Sequence, residues 1–356
     1  MARAFPSLVD LLDHGFDTVI DVRAPGEFAD DAVPGAVNLS VLNDQERARV
    51  GTIYKQESPF LARKIGAALV ARNAASHIES ALSEKPGGWR PLVYCWRGGQ
   101  RSRAFASILS EIGWRVETLD GGYKSYRRLV VDMLYERPPP PKILVLDGNT
   151  GTAKTELLSL LGELGVQILD LEGLANHRGS LLGRRGPQPS QKGFETGLAA
   201  AMARSDPSKP LVVEGESSKI GKLALPPPLF QAMRAAPRIV IEAPVDARAS
   251  YLLEAYGDAL ADREAFADRI LVLKRLRGGE RVTQWSDMVR QGALKEAAAA
   301  LITEHYDPAY AKSRARQGGV PLATLHAKDL GPEALAQLAR KIADLVREYR
   351  SCPADR

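Results

Sequence analysis

The chain has 356 residues, of which 45% are hydrophobic and 26% charged. These are ordinary proportions for a globular protein, and the length allows two domains with separate cores. No apolar run approaches the roughly 20 residues that cross a bilayer. The N-terminus lacks the apolar core of a signal peptide, so we expect a cytoplasmic protein.

Short apolar runs that end in Gly- or Asp-rich turns alternate with helical segments along the chain. Four consecutive prolines at 138–141 suit a stiff spacer and not a helix or a central strand. We therefore predict an α/β domain at 1–135, a Pro-rich linker at 136–141 and a second α/β domain at 142–356. The last third of the second domain reads as helical. Buried strands are predicted at DTVIDVR, PLVYC, VETLDGG, KILVLDG, VQILDL, PLVVEGE and PRIVIEAP.

The stretch PLVYCWRGGQRSR places Cys95 between a strand and a helix, in a loop with two glycines. Backbone N–H groups, the positive end of the helix and nearby Arg97 and Arg101 would favour the thiolate, the nucleophilic form. An inert buried cysteine is the alternative. We predict Cys95, Arg97 and Arg101 as catalytic, and we interpret Cys352, near the last residue of the sequence, as incidental.

The segment KILVLDGNTGTAKTELL is a strand, a Gly-rich turn and a helix, the setting of a phosphate-binding P-loop. It departs from G-x-x-x-x-G-K-[ST] at Ala153, a change that is tolerable if this residue has a negative φ. The alternative is an ordinary strand–turn–helix. Thr155 could also bind Mg²⁺. The residues predicted to bind phosphate or diphosphate are Gly148, Asn149, Thr150, Gly151, Thr152, Ala153, Lys154 and Thr155.

Two glutamates and a basic region complete the candidate sites. Glu214 and Glu216 end an apolar strand and could orient Mg²⁺ or water, although a solvent-facing strand end explains either one equally well. The net charge is +5. Basic residues are frequent between 269 and 295, where a solvated helix face and a phosphate-backbone contact are both reasonable interpretations.

Two separated motifs, VIDVRAPGEFADDAVPGAVNLS at 19–40 and CWRGGQRS at 95–102, resemble a rhodanese-like domain. In that family the cysteine carries a transferable chalcogen as a persulfide. A rhodanese-like domain followed by a P-loop domain is similar to the bacterial tRNA 2-selenouridine synthases over nearly the whole chain. Four further segments carry this resemblance: NHRGSLLG, PQPSQKGFE, VEGESSKIG and EHYDPAYAKS.

The resemblance implies a transferase that modifies tRNA in two steps. Geranyl diphosphate would alkylate the sulfur of 2-thiouridine at the wobble position, and selenophosphate would then replace the geranyl thiol with selenium. The P-loop would hold geranyl diphosphate and not ATP. Cys95 would either carry selenium or act as a nucleophile. Further donors for a diphosphate or a base are predicted at His177, Arg178, Ser180, Gln188, Ser190, Gln191, Lys192, Glu214 and Glu216.

The tRNA backbone is expected to contact basic residues near the second domain's helical part, and the oligomeric state stays open. One alternative function is a P-loop kinase or ATPase fused to a sulfurtransferase. Another is a tRNA-binding protein whose rhodanese loop is inactive. The candidate tRNA contacts are Arg269, Lys274, Arg275, Arg277 and Arg281, followed by Arg290, Lys295, Arg127 and Arg128.

Overall fold

The computed structural model describes residues 1–140, 142–179, 183, 186–314 and 321–351. The chain forms two compact units. The first unit is Met1–Arg137 with Pro189–Arg204, and the second unit is Pro138–Gln188 with Ser205–Arg356. Both units are built on a parallel sheet with helices, which confirms the predicted fold class. In the described part of the chain, no helix has the length and apolar character that a bilayer crossing requires.

The first unit has a five-stranded parallel sheet in the order β1-β5-β4-β2-β3. Its strands are β1 (Ala2–Arg3), β2 (Thr18–Asp21), β3 (Val37–Asn38), β4 (Pro91–Tyr94) and β5 (Glu117–Leu119). Its helices are α1 (Leu8–Leu12), α2 (Pro25–Asp30), α3 (Asp44–Gln56), α4 (Pro59–Glu79), α5 (Gln100–Glu111) and α6 (Gly122–Val131), which continues into a π-helical turn (Asp132–Glu136). All four residues of β4 are buried, which explains its unbroken apolar sequence.

The second half of the sequence begins with β6 (Ile143–Gly148), α7 (Lys154–Glu163), β7 (Gln167–Leu169), α8 (Leu171–Leu174), α9 (Gln191–Ala203) and β8 (Leu211–Glu214). It continues with β9 (Lys219–Ile220), β10 (Leu223–Ala224), α10 (Pro227–Ala235), β11 (Arg238–Glu242), α11 (Val245–Ala255), α12 (Gly257–Leu260), α13 (Arg263–Ile270) and a 3₁₀ turn (Leu271–Leu273). The last elements are α14 (Lys274–Arg277), α15 (Gly279–Arg290), α16 (Leu294–Leu301), a π-helical turn (Ile302–Tyr306), α17 (Asp307–Arg314), β12 (Pro321–His326) and α18 (Pro332–Ser351).

The sheet of the second unit is parallel, in the order β12-β11-β6-β8-β7, with a separate antiparallel pair of β9 and β10. The strand that leads into the phosphate loop, β6, is therefore central. One apolar core lies where this sheet packs against α7 and α18. A second core, around Phe266, Trp285 and Leu301, holds α13, α15 and α16 together.

Helix α9 follows the phosphate loop in sequence and yet packs within the first unit, against α1, α6 and the π-helical turn after α6. The Thr196 hydroxyl donates to the carboxylate of Asp31 at 2.7 Å and accepts from the Tyr126 hydroxyl at 2.9 Å. Lys192 forms an ion pair with Asp30 at 2.6 Å. Buried polar contacts thus fix α9 to the first sheet's helices.

Candidate functional site

In the first unit, the cysteine loop follows the carboxyl end of β4. Cys95 is 3% exposed, and its Sγ lies 3.2 Å from the hydroxyl oxygen of Ser102 in the first turn of α5. That hydroxyl donates to the carbonyl of Gly99 at 3.2 Å. The thiol therefore sits at the helix N-terminus, as the sequence predicted, with one polar neighbour in direct contact.

Two glycines, Gly121 and Gly122, lie next to the backbone of the cysteine loop. The amide of Tyr123 donates to the Cys95 carbonyl at 2.8 Å. Gly122 has a φ of +60°, and a Cβ there would overlap the carbonyl of Cys95 and the amide of Gly98. Only glycine fits this position. The DGGY stretch, which the sequence predicted as the end of a strand, therefore supports the structure of the cysteine loop.

The two arginines predicted as catalytic differ in their surroundings. Arg101 donates to Glu27 at 3.0 Å, and Glu27 also pairs with Arg47, so the two guanidinium groups share one carboxylate. Arg97 is exposed on the loop. The buried Arg23 pairs with Asp21 at 2.6 Å and lies 4.0 Å from the centre of the Tyr123 ring.

In the second unit, the phosphate loop connects β6 to α7. Lys154 folds over the loop, and its Nζ donates to the carbonyl of Gly148 at 2.7 Å. The hydroxyl of Thr152 donates to the Asn149 carbonyl at 2.8 Å. A cavity of about 1210 Å³, including its open mouth, runs along residues 150–156. The first residues of the ten-residue α7 line this space, and a helix N-terminus suits a phosphate group.

The condition under which Ala153 would be tolerated easily, a negative φ, is not met. Ala153 has a φ of +56° and a ψ of 29°, in the left-handed region that the usual glycine adopts freely. Such a backbone costs an L-residue about 1–2 kcal/mol. Ala153 is 3% exposed, and burial of its methyl group contributes about 0.8 kcal/mol. A less flexible unfolded chain contributes about 0.4–1 kcal/mol more, but at a positive φ the strain of alanine exceeds this gain.

Three glutamates meet beside the loop. The Thr155 hydroxyl donates to Glu172 Oε2 at 2.8 Å, and the amide of Glu172 donates to Glu214 Oε1 at 2.7 Å. Burial raises the pKa of Glu214 well above its usual value. Burial and the neighbouring Glu172 raise the pKa of Glu216 to about 8. Sequence reasoning identified Glu214 and Glu216 but missed Glu172, because nothing in the segment around it signals a site.

An ion pair fixes the other side of the phosphate loop. Arg248, on α11, donates to both carboxylate oxygens of Asp307 at 2.7 and 3.0 Å and to the Thr150 carbonyl at 2.9 Å. Asn149 donates to the same carboxylate at 2.9 Å. Asp307 belongs to the EHYDPAY segment, so this segment supports the phosphate loop through its contacts with Asn149 and Arg248. Sequence reasoning quoted the segment without assigning Asp307 or Arg248 a role.

The other predicted donors belong to two segments, HRGS and PQPSQK, of which the first lies near the phosphate cavity. Arg178 lines the phosphate cavity, with its guanidinium 4.7 Å from the centre of the Tyr256 ring. His177 is 7% exposed, and its backbone amide donates to the Glu172 carbonyl at 3.0 Å. Ser180 lies outside the described residues, and so does Cys352. The HRGS segment thus contributes Arg178 to the cavity.

The PQPSQK segment was predicted to contact the substrate, and in the structure its side chains bond to other residues of the protein. Gln188 bonds to the carbonyls of Ala175 and Ile220 at 3.1 and 3.0 Å and accepts from the amide of Lys222 at 2.8 Å, which secures the turn between β9 and β10. Three residues belong to the first unit with α9. Ser190 caps α9 and donates to the Asp30 carbonyl, Gln191 donates to Glu195, and Lys192 pairs with Asp30.

Most of the predicted tRNA-contacting arginines are already paired. Arg277 donates to His305 Nδ1 at 3.1 Å and to its carbonyl at 2.8 Å, and Arg281 pairs with Glu304. The neighbouring Lys274 and Arg275 are exposed on α14. Arg290 pairs with Glu264 and Asp268, Lys295 with Asp246 and Arg127 with Glu195. Arg269 lies against Phe266, and Arg128 is exposed on α6.

Two family models match the two halves of the chain. A rhodanese-like domain matches residues 5–129, and a tRNA 2-selenouridine synthase AAA domain matches residues 141–330. The fold and the two loops thus define a two-domain transferase that joins a rhodanese-like module to a P-loop module.

Similar proteins cover nearly the same length. The chain is 36% identical over 331 residues to the tRNA 2-selenouridine synthase of Pseudomonas syringae pv. syringae, spanning 83% of this chain and 88% of that relative. It is 35% identical over 356 residues to the tRNA 2-selenouridine synthase of Marinobacter nauticus, spanning 90% and 94%. The chain belongs to the tRNA 2-selenouridine synthase family, and it is therefore an enzyme, as the sequence predicted.

Proposed function

We propose that the enzyme converts 2-thiouridine at the wobble position of tRNA to 2-selenouridine by way of S-geranyl-2-thiouridine. Geranyl diphosphate and selenophosphate are the co-substrates of this proposal. The observation that carries it is that one chain of this family contains both a rhodanese-type cysteine loop and a phosphate loop with its lysine in place. Each loop suits one of the two half-reactions.

The phosphate loop serves the alkylation. The thione sulfur of the uridine attacks C1 of the geranyl group, the C1–O bond breaks, diphosphate leaves with the electron pair, and the N3 proton is released. The barrier falls when positive charge and N–H donors meet the leaving diphosphate. Lys154, the amides at the start of α7 and Arg178 supply these around one cavity.

A magnesium ion is compatible with the same cavity. Among the described residues, no three His, Cys, Asp or Glu side chains are arranged to hold a metal on their own. Mg²⁺ at phosphate sites needs only one or two protein oxygens, with phosphates and water as its other ligands. Thr155 and Glu172 line the cavity and would supply those oxygens. When bound, the ion would neutralise charge on the leaving diphosphate.

The cysteine loop serves the selenium step. Cys95 lies at the N-terminus of α5, with its Sγ 3.2 Å from the Ser102 hydroxyl oxygen, and we assign the selenium step to this position. In this step the selenium of selenophosphate forms a bond to C2 of the uridine, the C2–S bond breaks and the geranyl thiol leaves, and water cleaves the P–Se bond to release phosphate. In this proposal Cys95 acts as a nucleophile in the exchange: its sulfur bonds to C2 as the geranyl thiol leaves, and it is displaced when selenium bonds to C2. The exposed Lys274 and Arg275 contribute to binding the tRNA backbone.

The test separates the two half-reactions. The enzyme is incubated with tRNA that contains 2-thiouridine, geranyl diphosphate and selenophosphate, and the nucleosides are identified by mass spectrometry, omitting each small molecule in turn. Lys154→Ala should abolish geranylation. Cys95→Ala should spare geranylation and abolish selenation, because the thiol does not contact the diphosphate in this proposal.

Two results would count against the proposal. Loss of geranylation in both variants, with the fold intact by circular dichroism, would contradict the division of labour between the loops. Turnover of ATP by the wild-type enzyme without consumption of geranyl diphosphate would favour the alternative of a P-loop ATPase fused to a sulfurtransferase.

A further inference from the structure

An apolar cleft lies in the helical part of the second unit. It encloses about 490 Å³, including its open mouth. Its floor consists of core residues such as Phe266 and Leu301, which are 7% and 6% exposed. Half-buried Leu294 and Ala298 of α16 form one wall.

The lining of this cleft is chemically uniform. Among its lining residues, only Thr150, Tyr256 and Tyr306 have a polar side-chain atom. The occupant that such a lining recognises is a hydrocarbon, because a nucleoside would lose its hydrogen bonds to water without replacement. An adenine or a ribose is therefore a poor match for this space.

The cleft joins the phosphate cavity directly. Thr150, Leu252 and Tyr256 line both spaces. Leu252 rests on the phosphate loop, since a Cβ on Gly151 would lie 3.1 Å from its Cγ. A molecule whose diphosphate lies along residues 150–155 can thus extend an attached chain past Leu252 into the cleft.

We infer that this cleft holds the hydrocarbon chain of the prenyl diphosphate and sets the chain length that the enzyme accepts. The inference rests on the proposed function and adds a binding site to it. Ala298 is the position at which the wall can be extended, because its small side chain borders the cleft without belonging to the buried core. A larger side chain here shortens the space available to the chain.

The first experiment measures binding by calorimetry with three probes: inorganic diphosphate and the unreactive S-thiolodiphosphate analogues of dimethylallyl and geranyl diphosphate. Each methylene that enters an apolar site changes affinity by about fourfold. The wild-type enzyme should bind the geranyl analogue at least tenfold more tightly than the dimethylallyl analogue. Ala298→Phe should remove most of this preference and leave diphosphate binding unchanged.

Ala299→Phe is the matched control, because Ala299 lies on the same helix and does not line the cleft. It should keep the wild-type preference. If Ala298→Phe does not fold, Ala298→Leu replaces it with a smaller expected loss. Equal affinity of the wild-type enzyme for both analogues, or an unchanged preference in the Ala298 variant, would overturn the inference.

The binding results can be distinguished from failure of the proposed reaction. If the wild-type enzyme makes 2-selenouridine without a geranylated intermediate, the reaction scheme fails, while a length preference that Ala298→Phe removes still supports the cleft. If geranylated tRNA forms while binding is independent of chain length, the cleft assignment fails and the reaction scheme stands.

Discussion

Replacing Asp307 by alanine should destabilise the second unit by leaving a buried guanidinium without its counter-ion. The side chain of Arg248 is 4% exposed, and that of Asp307 is 28% exposed. Breaking a buried ion pair by removing one partner costs about 3–5 kcal/mol. Because water reaches part of Asp307 and the Thr150 carbonyl still accepts from Arg248, we expect about 2–3 kcal/mol.

The free energy of unfolding is measured by urea denaturation followed by circular dichroism. Glu264→Ala is the control, because Glu264 pairs with Arg290 on the surface, with 73% of its side chain exposed. That variant should lose less than about 1 kcal/mol. Adding Arg248→Met to Asp307→Ala should restore part of the lost stability, since it removes the unpaired charge.

Two outcomes would refute this reasoning. One is a cost for Asp307→Ala no larger than that of the surface control. The other is a double variant that is less stable than Asp307→Ala alone, which would show that packing and not charge carries the effect. Geranylation by Asp307→Ala should also fall, because Asn149 and Thr150 lose their shared support.

Gly122→Ala should reduce selenation by about tenfold or more and leave geranylation intact, because the new Cβ displaces the cysteine loop. Gly88→Ala, where a Cβ meets open space, is its control; equal selenation in the two variants would contradict the assigned role. His305→Gln should flatten the pH dependence of stability in acid. Burial and Arg277 hold the pKa of His305 below its usual 6.5, so wild-type stability should decline as the pH falls below 6.5, when the unfolded chain gains a proton that the folded ring does not. Unfolding free energies measured from pH 7 to pH 5 test this, and parallel slopes in the two proteins would refute it.

The sheets and both loops could be predicted from the sequence because their signals are local. Buried parallel strands are continuous apolar runs, and each functional loop follows such a strand directly. All seven predicted strands contain one of β2, β4, β5, β6, β7, β8 or β11. The order strand–turn–helix then placed Cys95 and Lys154 at helix N-termini.

The features that sequence reasoning missed depend on distant contacts. Arg248 and Asp307 are 59 positions apart, and neither position has a local pattern that marks it as part of the loop. The φ of Ala153 is imposed by the loop, whereas the residue type favoured the opposite sign. Ser190, Gln191 and Lys192 form a polar run typical of a binding segment, and only the packing of α9 shows their structural contacts.

The placement of α9 has a consequence for how this chain is synthesised and subdivided. Residues 1–137 are synthesised well before residues 191–203, so about sixty further residues must be added before Thr196 can bond to Asp31. A gene truncated at the prolines at 138–141, the domain boundary that the sequence predicts, would encode a rhodanese-like fragment without α9. In that fragment Tyr126 would lose its Thr196 partner, and an apolar surface would become available for aggregation. A usable expression boundary for the first unit has to include residues 189–204.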